Sequence, residues 1–487
     1  MINLIKNELF KVFHKKSIYV FGIIILVFCI INNVSYLKTY DDEGSYIYDG
    51  GVYYMDFSDS LNELDPNDEK EVDEYINVKT SSDIENMLKT NNFDGNSWQY
   101  SVTYDVLYSY VYNINYYTYK EKNIDKLLEY RVEYDKLVNK LKSDDWKYFV
   151  NLELDRVNDD IKSLEKDKVN FNTTALQKNY EENLYRLNFE KEILELRLKN
   201  DISYGYSYLN TALEEYEYMS TSLRELKNKS NLTYDDKLNI QRWSSDVAIN
   251  KYIVDTKYNL AKENNLRTGI KDLIDDYEIF IMIFIIVIAS GIVSSEFKDG
   301  TIKLLLTKPY TRSTILLSKY LTSLICFGLI IIYTFICQLI VGSLCFGIDS
   351  LEIPVVIYNY SSNSLMEYNA FSYLLLMILC KMPMFVLLLT LAFSLSTLFL
   401  SSSLANMFSI LGYLFKDMVI VFVTMFRLDF LKYFVTLNWN FTEYLFGKLP
   451  SVEGLTIGVS IVVCLVFYLV MIITTFVVFK KKNIKNI

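Results

Sequence analysis

Charged residues that interrupt apolar stretches are the candidates for chemistry in this 487-residue chain. The segment 294–320, SSEFKDGTIKLLLTKPYTRSTILLSKY, separates two strongly apolar runs and carries five cations. Gly300 predicts a break in the backbone, Thr301 is a suitable helix cap, and Pro309 disfavours helical geometry at the residue before it. The segment therefore predicts a short helix over 301–306.

This short helix is amphipathic. Leu305 and Leu306 lie between the cations Lys303, Lys308 and Arg312. Exposing such leucines to water is unfavourable, so the helix needs either the membrane surface or a groove on another protein.

A second group of charges lies inside apolar runs. Lys381 is close to Pro383, and Lys416 is followed by Asp417. An ion at membrane depth costs a few kcal/mol, so these residues should face a cavity, a partner or each other. We interpret them as candidates for a translocation path. Alternatively, the fifth apolar run ends near 415, which places Lys416 and Asp417 at an interface and makes the next stretch re-entrant.

Enzymatic catalysis and metal binding find little support. His14 is the only histidine, and the motifs H-E-x-x-H, C-x-x-C and G-x-S-x-G are absent. A Ser-His-Asp or Cys-His arrangement would therefore depend on one residue near the N-terminus. The acidic run ELDPNDEKEVDE lacks the register of a calcium loop and is interpreted as a solvated surface. We predict no catalytic site, no metal site and no cofactor bound by this chain.

The elements that must position these residues are membrane helices. The chain is 51% hydrophobic yet 22% charged, and the two characters are segregated along the sequence. A helix needs about 20 residues to cross the hydrocarbon layer. Apolar runs of roughly this kind occur at 17–34, 279–293, 321–347, 371–400, 402–426 and 455–479. We predict six transmembrane helices, with the last four inside 321–479.

Positive charge predicts their orientation. Residues 1–16, 294–320 and the tail 480–487 carry 13 Lys and Arg, against Glu8, Glu296 and Asp299. These three segments are therefore predicted to face the cytoplasm. The first apolar run lacks a small-residue cleavage pattern and is interpreted as an uncleaved anchor.

The N-terminal residues 1–16 predict a helix that lies along the inner membrane surface. Ile2, Ile5, Leu9 and Val12 share one helical face, and Lys6 and Lys11 lie largely away from it. The alternative is a merely basic leader.

Residues 35–278 form the predicted extracellular domain. They contain 49 Asp and Glu against 31 Lys and Arg, so the domain is acidic and nucleic acid is an unfavourable partner. All six cysteines lie in or at apolar runs, and we interpret them as small apolar side chains.

The extracellular domain is predicted to be mostly helical and coiled-coil-like. Residues 40–120 carry turn signals and indicate irregular structure with short helices. From about 120 onward, apolar residues recur in steps of three and four, as in Leu127, Tyr130, Tyr134, Leu137 and Leu141. The pattern indicates a helical hairpin or bundle packed on itself, or a stalk that contacts a partner.

The motif S-E-F-x-x-G-T-I-x-x-L-L-x-x-P-x-x-R, which begins at Ser295, resembles the cytoplasmic loop of ATP-binding-cassette (ABC) exporter permeases of the type-2 class. Six spans, an amphipathic N-terminal elbow helix and the loop after the second span extend the resemblance over the membrane half of the chain. The large domain 35–278 departs from the many members that have a short loop there.

The resemblance implies that residues 301–306 are a coupling helix that docks in a groove of a separate ATPase. The residues that carry this implied role are Glu296, Gly300, Thr301, Leu305, Leu306, Pro309 and Arg312. Glu296 and Arg312 would contact the ATPase or brace the loop. The chain has no G-x-x-x-x-G-K-[ST] motif, so ATP and Mg²⁺ would be bound by the partner. Two ATPase copies and a second permease, the same or similar, would complete the complex.

Three functions are compatible with these features. The first is a permease that exports a hydrophobic or amphipathic substrate, such as a peptide, an antibiotic or a lipid, with antimicrobial peptide resistance as one outcome. The second is a mechanotransducer whose ATP-driven motion works the extracellular domain without transport. The third is a receptor, which would not need the coupling loop. The predicted fold class is all-α, a polytopic protein of the cell membrane.

Overall fold

The fold is mostly helical in the part of the chain that the structure describes. The computed structural model describes residues 1–43, 57–167, 174–260, 265–301, 309–426 and 428–481. The chain divides into two compact units. Unit 1 comprises 1–41, 229–245 and 262–487, and unit 2 comprises 42–228 and 246–261. Unit 2 is therefore smaller than the predicted domain 35–278, because 229–245 and the residues from 262 onward pack with the apolar helices.

Among the described residues of unit 1, six helices are long and apolar enough to cross a membrane, as predicted. We call them spans 1 to 6: Lys16–Ser35, Glu278–Lys298, Arg312–Phe346, Ala370–Phe399, Ser402–Val423 and Ile457–Lys481. The helix that contains span 1 continues to Glu43.

Two of these helices extend beyond the apolar runs that predicted the spans. Span 2 ends at Lys298 and not at 293, and span 3 begins at Arg312 and not at 321. The helices extend beyond the apolar runs because charged residues in their added turns find partners inside the protein. Span 5 contains two helices, Ser402–Leu414 and Lys416–Phe426, the second of which continues past Val423. They meet at Phe415, where the alternative interpretation ended the fifth apolar run.

The other elements of unit 1 are short. An N-terminal helix covers Ile2–Phe13. The remaining elements are the helices Leu266–Lys271, Leu273–Asp276 and Val435–Asn438, the 3₁₀ helices Asp349–Glu352, Asp429–Tyr433 and Phe441–Gly447, and the strands Val355–Asn359 and Ser364–Tyr368. The strands form an antiparallel hairpin in which Val355 lies opposite Tyr368. The all-α prediction missed this hairpin, although β-branched residues favour a strand there.

Span 2 lies at the centre of the apolar helices. In its most apolar window 61% of the residues are buried, against 17% in spans 1, 5 and 6. Polar pairs join other spans inside this core. Asn33 of span 1 and Gln338 of span 3 exchange two amide hydrogen bonds of 3.1 and 3.2 Å, and the Tyr320 and Thr390 hydroxyls are 2.8 Å apart. Such bonds fix the rotation of helices whose apolar faces alone specify it weakly.

Three of the connections between the spans of unit 1 are linked by hydrogen bonds. Arg267, which precedes span 2, donates to the Pro354 carbonyl between spans 3 and 4 at 3.2 Å. Tyr234 donates to the Pro450 carbonyl between spans 5 and 6 at 2.6 Å. The connection between spans 1 and 2 therefore contacts both the connection between spans 3 and 4 and the connection between spans 5 and 6.

Unit 2 is built from helices. Their bounds are Ser58–Asn62, Val72–Asn91, Trp98–Val102, Thr103–Leu107 (a π-helix), Tyr108–Tyr119, Ile124–Lys142, Trp146–Asp167, Thr174–Lys199 and Tyr208–Lys227, and Tyr234–Thr256 contributes its last part. The prediction of irregular structure with short helices for 40–120 understates the helix there, because 72–91 and 98–119 are helical. Tyrosine rings there pack on the core around Leu137 and Leu141, so they act as helical core residues.

The helices Trp146–Asp167 and Thr174–Lys199 form an antiparallel pair. Arg156 lies 2.6 Å from Glu190, and Lys147 lies 2.5 Å from Asp201, so rising numbers on one helix meet falling numbers on the other. The buried seam between them is Val150, Val157, Leu187 and Leu194. This pair agrees with the predicted helical hairpin.

A buried arginine organises the turn that follows this pair. Nη1 of Arg197 donates to the carbonyls of Ile202 and Ser203 and, at 2.6 Å, to Oδ1 of Asn210. The guanidinium lies 4.4 Å from the centre of the Tyr204 ring, and Arg197 is only 8% exposed. Its removal would take this donor from the Ile202 carbonyl and from Oδ1 of Asn210, whereas the Ser203 carbonyl would still accept from Nδ2 of Asn210.

We expect Arg197→Leu to lower the free energy of unfolding of unit 2 by about 3 kcal/mol, because buried acceptors lose a charged donor. The matched control is Arg156→Leu, which removes an exposed arginine with three ion pairs and should cost less than about 1 kcal/mol. Hydrogen exchange of peptides from 174–228, in the full-length chain under increasing denaturant, measures both changes. Equal losses in the two variants would contradict the assigned role of Arg197.

Candidate functional site

The predicted coupling segment is shorter than its sequence suggests. Ser295 and Glu296 belong to the last turns of span 2, and Arg312 opens span 3, so the connection is reduced to 299–311. Gly300 has a φ of +68°, the left-handed conformation expected of a break that only glycine adopts freely. Residues 302–308, which include Leu305 and Leu306, lie outside the described residues.

A buried ionic cluster joins the two ends of this connection to the N-terminal helix. We call Glu8, Lys11, Glu296 and Lys319 the loop-end cluster. Nζ of Lys319 lies 2.7 Å from Oε2 of Glu8 and 3.0 Å from Oε1 of Glu296. Nζ of Lys11 lies 2.6 Å from the same Glu296 oxygen and 3.2 Å from Glu8. Two carboxylates and two ammonium groups therefore balance each other.

Most charges of this cluster are buried, so each of these needs an oppositely charged partner. The side chain of Lys319 is 1% exposed, and those of Glu8 and Glu296 are nearly as buried. Lys319 also donates to the Ile292 carbonyl at 3.1 Å, so all of its hydrogen-bonding directions point into the protein. Removing a charge from water costs several kcal/mol, which is recovered only while the partners stay in place. The N-terminal helix, span 2 and span 3 are therefore held in one arrangement.

The cluster shifts the pKa values of two lysines that precede span 1, Lys11 and Lys15. Burial would lower the pKa of Lys11, but the hydrogen bond to Glu296 and the charges of Glu8 and Glu296 outweigh it and raise the pKa. Burial lowers the pKa of Lys15, and the positive charge of Lys319 adds to this shift. Because the folded pKa of Lys11 exceeds its ordinary value near 10.5, its contribution is complete at neutral pH and is lost only in strongly alkaline solution.

Arg312 ties the second end of the connection to span 6. Its Nη1 donates to the Lys480 carbonyl at 3.1 Å, near the last turn of that helix, where cations are favourable. Phe297 packs edge-on against Phe479 with ring centres 6.4 Å apart. The Thr301 hydroxyl donates to the Glu296 carbonyl at 3.4 Å, and the helix that Thr301 was predicted to cap lies outside the described residues. Thr311 caps the start of span 3.

A second charged cluster lies at the other end of span 2. We call Asp275, Glu278, Lys381, Tyr413 and Lys416 the span-start cluster. Lys381 pairs with Asp275 and lies 2.5 Å from Glu278, whose other oxygen accepts from Lys416 at 2.7 Å and from Tyr413 at 2.6 Å. Glu278 and Glu296 are 18 residues apart on one helix, which places the two clusters about 27 Å apart.

Two of the three residues predicted to line a translocation path belong to the span-start cluster. Lys381 and Lys416 meet at Glu278, so their charges are balanced within the chain. Asp417 is exposed and stands outside this cluster. The arrangement explains how charged residues persist in apolar helices, and their part in a translocation path stays a prediction.

Sequence reasoning missed most members of each cluster, because only Glu296, Lys381 and Lys416 were candidates. Glu8 was counted only as an exception to the charge pattern, and Glu278 only among the acidic residues of 35–278, yet each binds a lysine that lies in an apolar helix. The signal was present, since a lysine such as Lys319 beside an apolar run requires a carboxylate, but the sequence does not show which one. Within the described ranges, no three His, Cys, Asp or Glu side chains lie close enough to hold a metal ion.

Comparisons with known proteins place the chain in a family without an assigned activity. The family model "Protein of unknown function (DUF2705)" matches residues 241–485, half of the chain, and the chain belongs to this family. It is 32% identical over 211 residues to "Uncharacterized protein YhcI" of Bacillus subtilis (strain 168), covering 43% of this chain and 67% of that protein. No solved structure matches the chain.

We expect Lys319→Met to lower the free energy of unfolding of the full-length chain in detergent micelles by about 3 kcal/mol or more, because Glu8 and Glu296 then share only Lys11. Faster hydrogen exchange in residues 2–13 should accompany it. The matched control is Lys298→Met, an exposed lysine at the end of span 2, which should stay within about 0.5 kcal/mol. Similar effects of the two substitutions would refute a structural role for the cluster.

Proposed function

We propose that this member of the DUF2705 family is the membrane-spanning permease subunit of an ABC transporter, which exports a hydrophobic or amphipathic substrate with energy from a separate ATPase. The observation that supports the proposal most is the loop-end cluster. It ties both ends of the connection 299–311 to the N-terminal helix, at the place where the resemblance puts ATPase docking.

The cluster supplies a route for mechanical force. A partner that pushes on the connection moves the end of span 2 through Glu296 and the start of span 3 through Lys319. Glu8 makes the N-terminal helix follow, because separating these charges inside the protein costs several kcal/mol. Span 2 has the largest buried share of the six spans. Because it packs directly on spans 4 and 5, its displacement moves them as well.

The same proposal covers orientation and partners. The 13 cations of 1–16, 294–320 and 480–487 favour a cytoplasmic location for both termini and the connection, with 35–278 outside the cell. Two ATPase copies would bind ATP and Mg²⁺, and a second permease, identical or similar, would complete the transporter in the cell membrane. A coiled-coil-like extracellular domain is part of the proposal, and the antiparallel pair of unit 2 supports it.

Unit 2 favours a second candidate function. A helical unit of this size, inserted between spans 1 and 2, is more than a short connection needs. In this alternative, ATP-driven motion of the spans moves unit 2, which then acts on an extracellular target. No substrate crosses the membrane. Both candidates need the ATPase, and they differ in whether substrate moves across a sealed vesicle.

We expect a nucleotide-hydrolysing protein to co-purify with the full-length chain when the chain is extracted from its native membrane in a mild detergent. Mass spectrometry identifies the retained protein. The double substitution Leu305→Asp and Leu306→Asp should reduce this retention about tenfold or more, because charge opposes burial in an apolar groove. The matched control, Leu305→Met and Leu306→Met, keeps apolar volume and should retain the partner.

Two outcomes would contradict the proposal. One is that no nucleotide-hydrolysing protein is retained by the unaltered chain. The other is that the Asp variant assembles and hydrolyses ATP as the unaltered chain does. If assembly is lost as expected but sealed vesicles show no ATP-dependent movement of any peptide or lipid, the result favours the mechanotransducer.

A further inference from the structure

An apolar cavity lies among spans 4, 5 and 6 and the helix Val435–Asn438, all within unit 1. Its volume is about 410 Å³, within the range of pockets that bind small ligands. Its walls include Leu391 of span 4, Gly412 and Met418 of span 5, and Phe467 of span 6. Trp439, which directly follows the helix Val435–Asn438, also lies on the wall. The cavity is separate from both charged clusters, since none of their members lines it.

The walls exclude recognition by charge. Among the described residues, no charged side chain lines the cavity, and Thr436 carries the single hydroxyl there. The Thr436 hydroxyl is buried and has no hydrogen-bond partner among the residues that the structure describes. A cavity with such walls does not hold ordered water, which needs two or more polar partners. Its occupant must therefore be apolar.

The surface around the cavity identifies the source of that occupant. Phe415, Met418 and Phe422 line the cavity and are each more than one-third exposed on span 5. Span 5 is one of the six apolar helices and is among the least buried of them. Aromatic and aliphatic side chains exposed on such a helix face the hydrocarbon of a bilayer. When span 5 crosses a bilayer, lipid acyl chains are therefore the apolar material available to the cavity.

We propose that this cavity binds one acyl chain of a membrane phospholipid, with the headgroup left outside it. The inference goes beyond the proposed function, because chain binding needs neither ATP nor the connection 299–311. Its failure would leave ATPase coupling untouched, and failure of ATPase coupling would leave the cavity intact.

Trp439 provides a reporter on the cavity wall. The full-length chain in detergent micelles is titrated with a phosphatidylglycerol whose acyl chains carry bromine at carbons 9 and 10, since bromine quenches tryptophan emission on contact. The contribution of Trp439 is the difference between the unaltered chain and Trp439→Phe. We expect its quenching to saturate at about one lipid per chain, and unbrominated phosphatidylglycerol to restore the emission by competition.

Gly412→Leu fills the cavity. A Cβ atom at Gly412 would meet only Cδ2 of Leu391, at 3.9 Å, and leucine favours a helix more than glycine does, so the variant should fold. The matched control is Gly328→Leu in span 3, where nothing lies within 4 Å of an added Cβ. We expect Gly412→Leu to weaken quenching of Trp439 about tenfold or more, and Gly328→Leu to change it less than about twofold.

Three results would overturn the proposal. Quenching that rises linearly with bromine content, without saturation or competition, would show contact with bulk micelle only. Equal quenching in Gly412→Leu and Gly328→Leu would place the lipid elsewhere. Saturation by free dibromostearic acid but not by the phospholipid would show that the occupant is a free fatty acid. The competition experiment uses the unaltered chain and decides the question even if Gly412→Leu does not fold.

Discussion

The fold depends on keeping the ammonium group of Lys319 paired inside the protein. A buried charge is stable only beside opposite charge, and here Glu8 and Glu296 come from two other elements. One lysine therefore fixes the N-terminal helix, the end of span 2 and the start of span 3 together. Lys11 completes the neutrality of the group and, because half of its side chain is exposed, links it to the surface.

The same principle recurs at the start of span 2, where Glu278 joins Lys381 of span 4 to Lys416 of span 5. Span 2 thus carries an ionic cluster at each end and an apolar middle that packs on its neighbours. Amide and hydroxyl pairs such as Asn33 with Gln338 add directional contacts between spans. Apolar packing brings these helices together, and the polar contacts select one arrangement among many that are equally apolar.

Much of this fold could be predicted from the sequence. Runs of about 20 apolar residues identify the six spans, because no other element buries such a run. The break at Gly300 was also predicted, since glycine and a capping residue specify a backbone conformation locally. The partners of the buried charges could not be predicted in this way. Glu8 and Lys319 are 311 residues apart, and no local pattern states that they meet.

The errors have physical causes as well. Tyrosines in 108–119 indicated irregular structure, yet their rings pack in a helical core, where tertiary contacts override local preference. Spans 2 and 3 extend past their apolar runs because Glu296 and Arg312 find partners that let helix continue among charges. The β-hairpin Val355–Asn359 with Ser364–Tyr368 is too short to produce a strong periodic signal.

A double-mutant cycle between Glu8→Gln and Lys319→Met tests the central claim most directly. The free energy of unfolding of the full-length chain in micelles is measured for both single variants and for the double variant. The account predicts a coupling energy of about 2 kcal/mol or more, because the two charges lie 2.7 Å apart in a buried setting. A coupling energy below about 0.5 kcal/mol would show that the two residues act independently, and it would contradict the account.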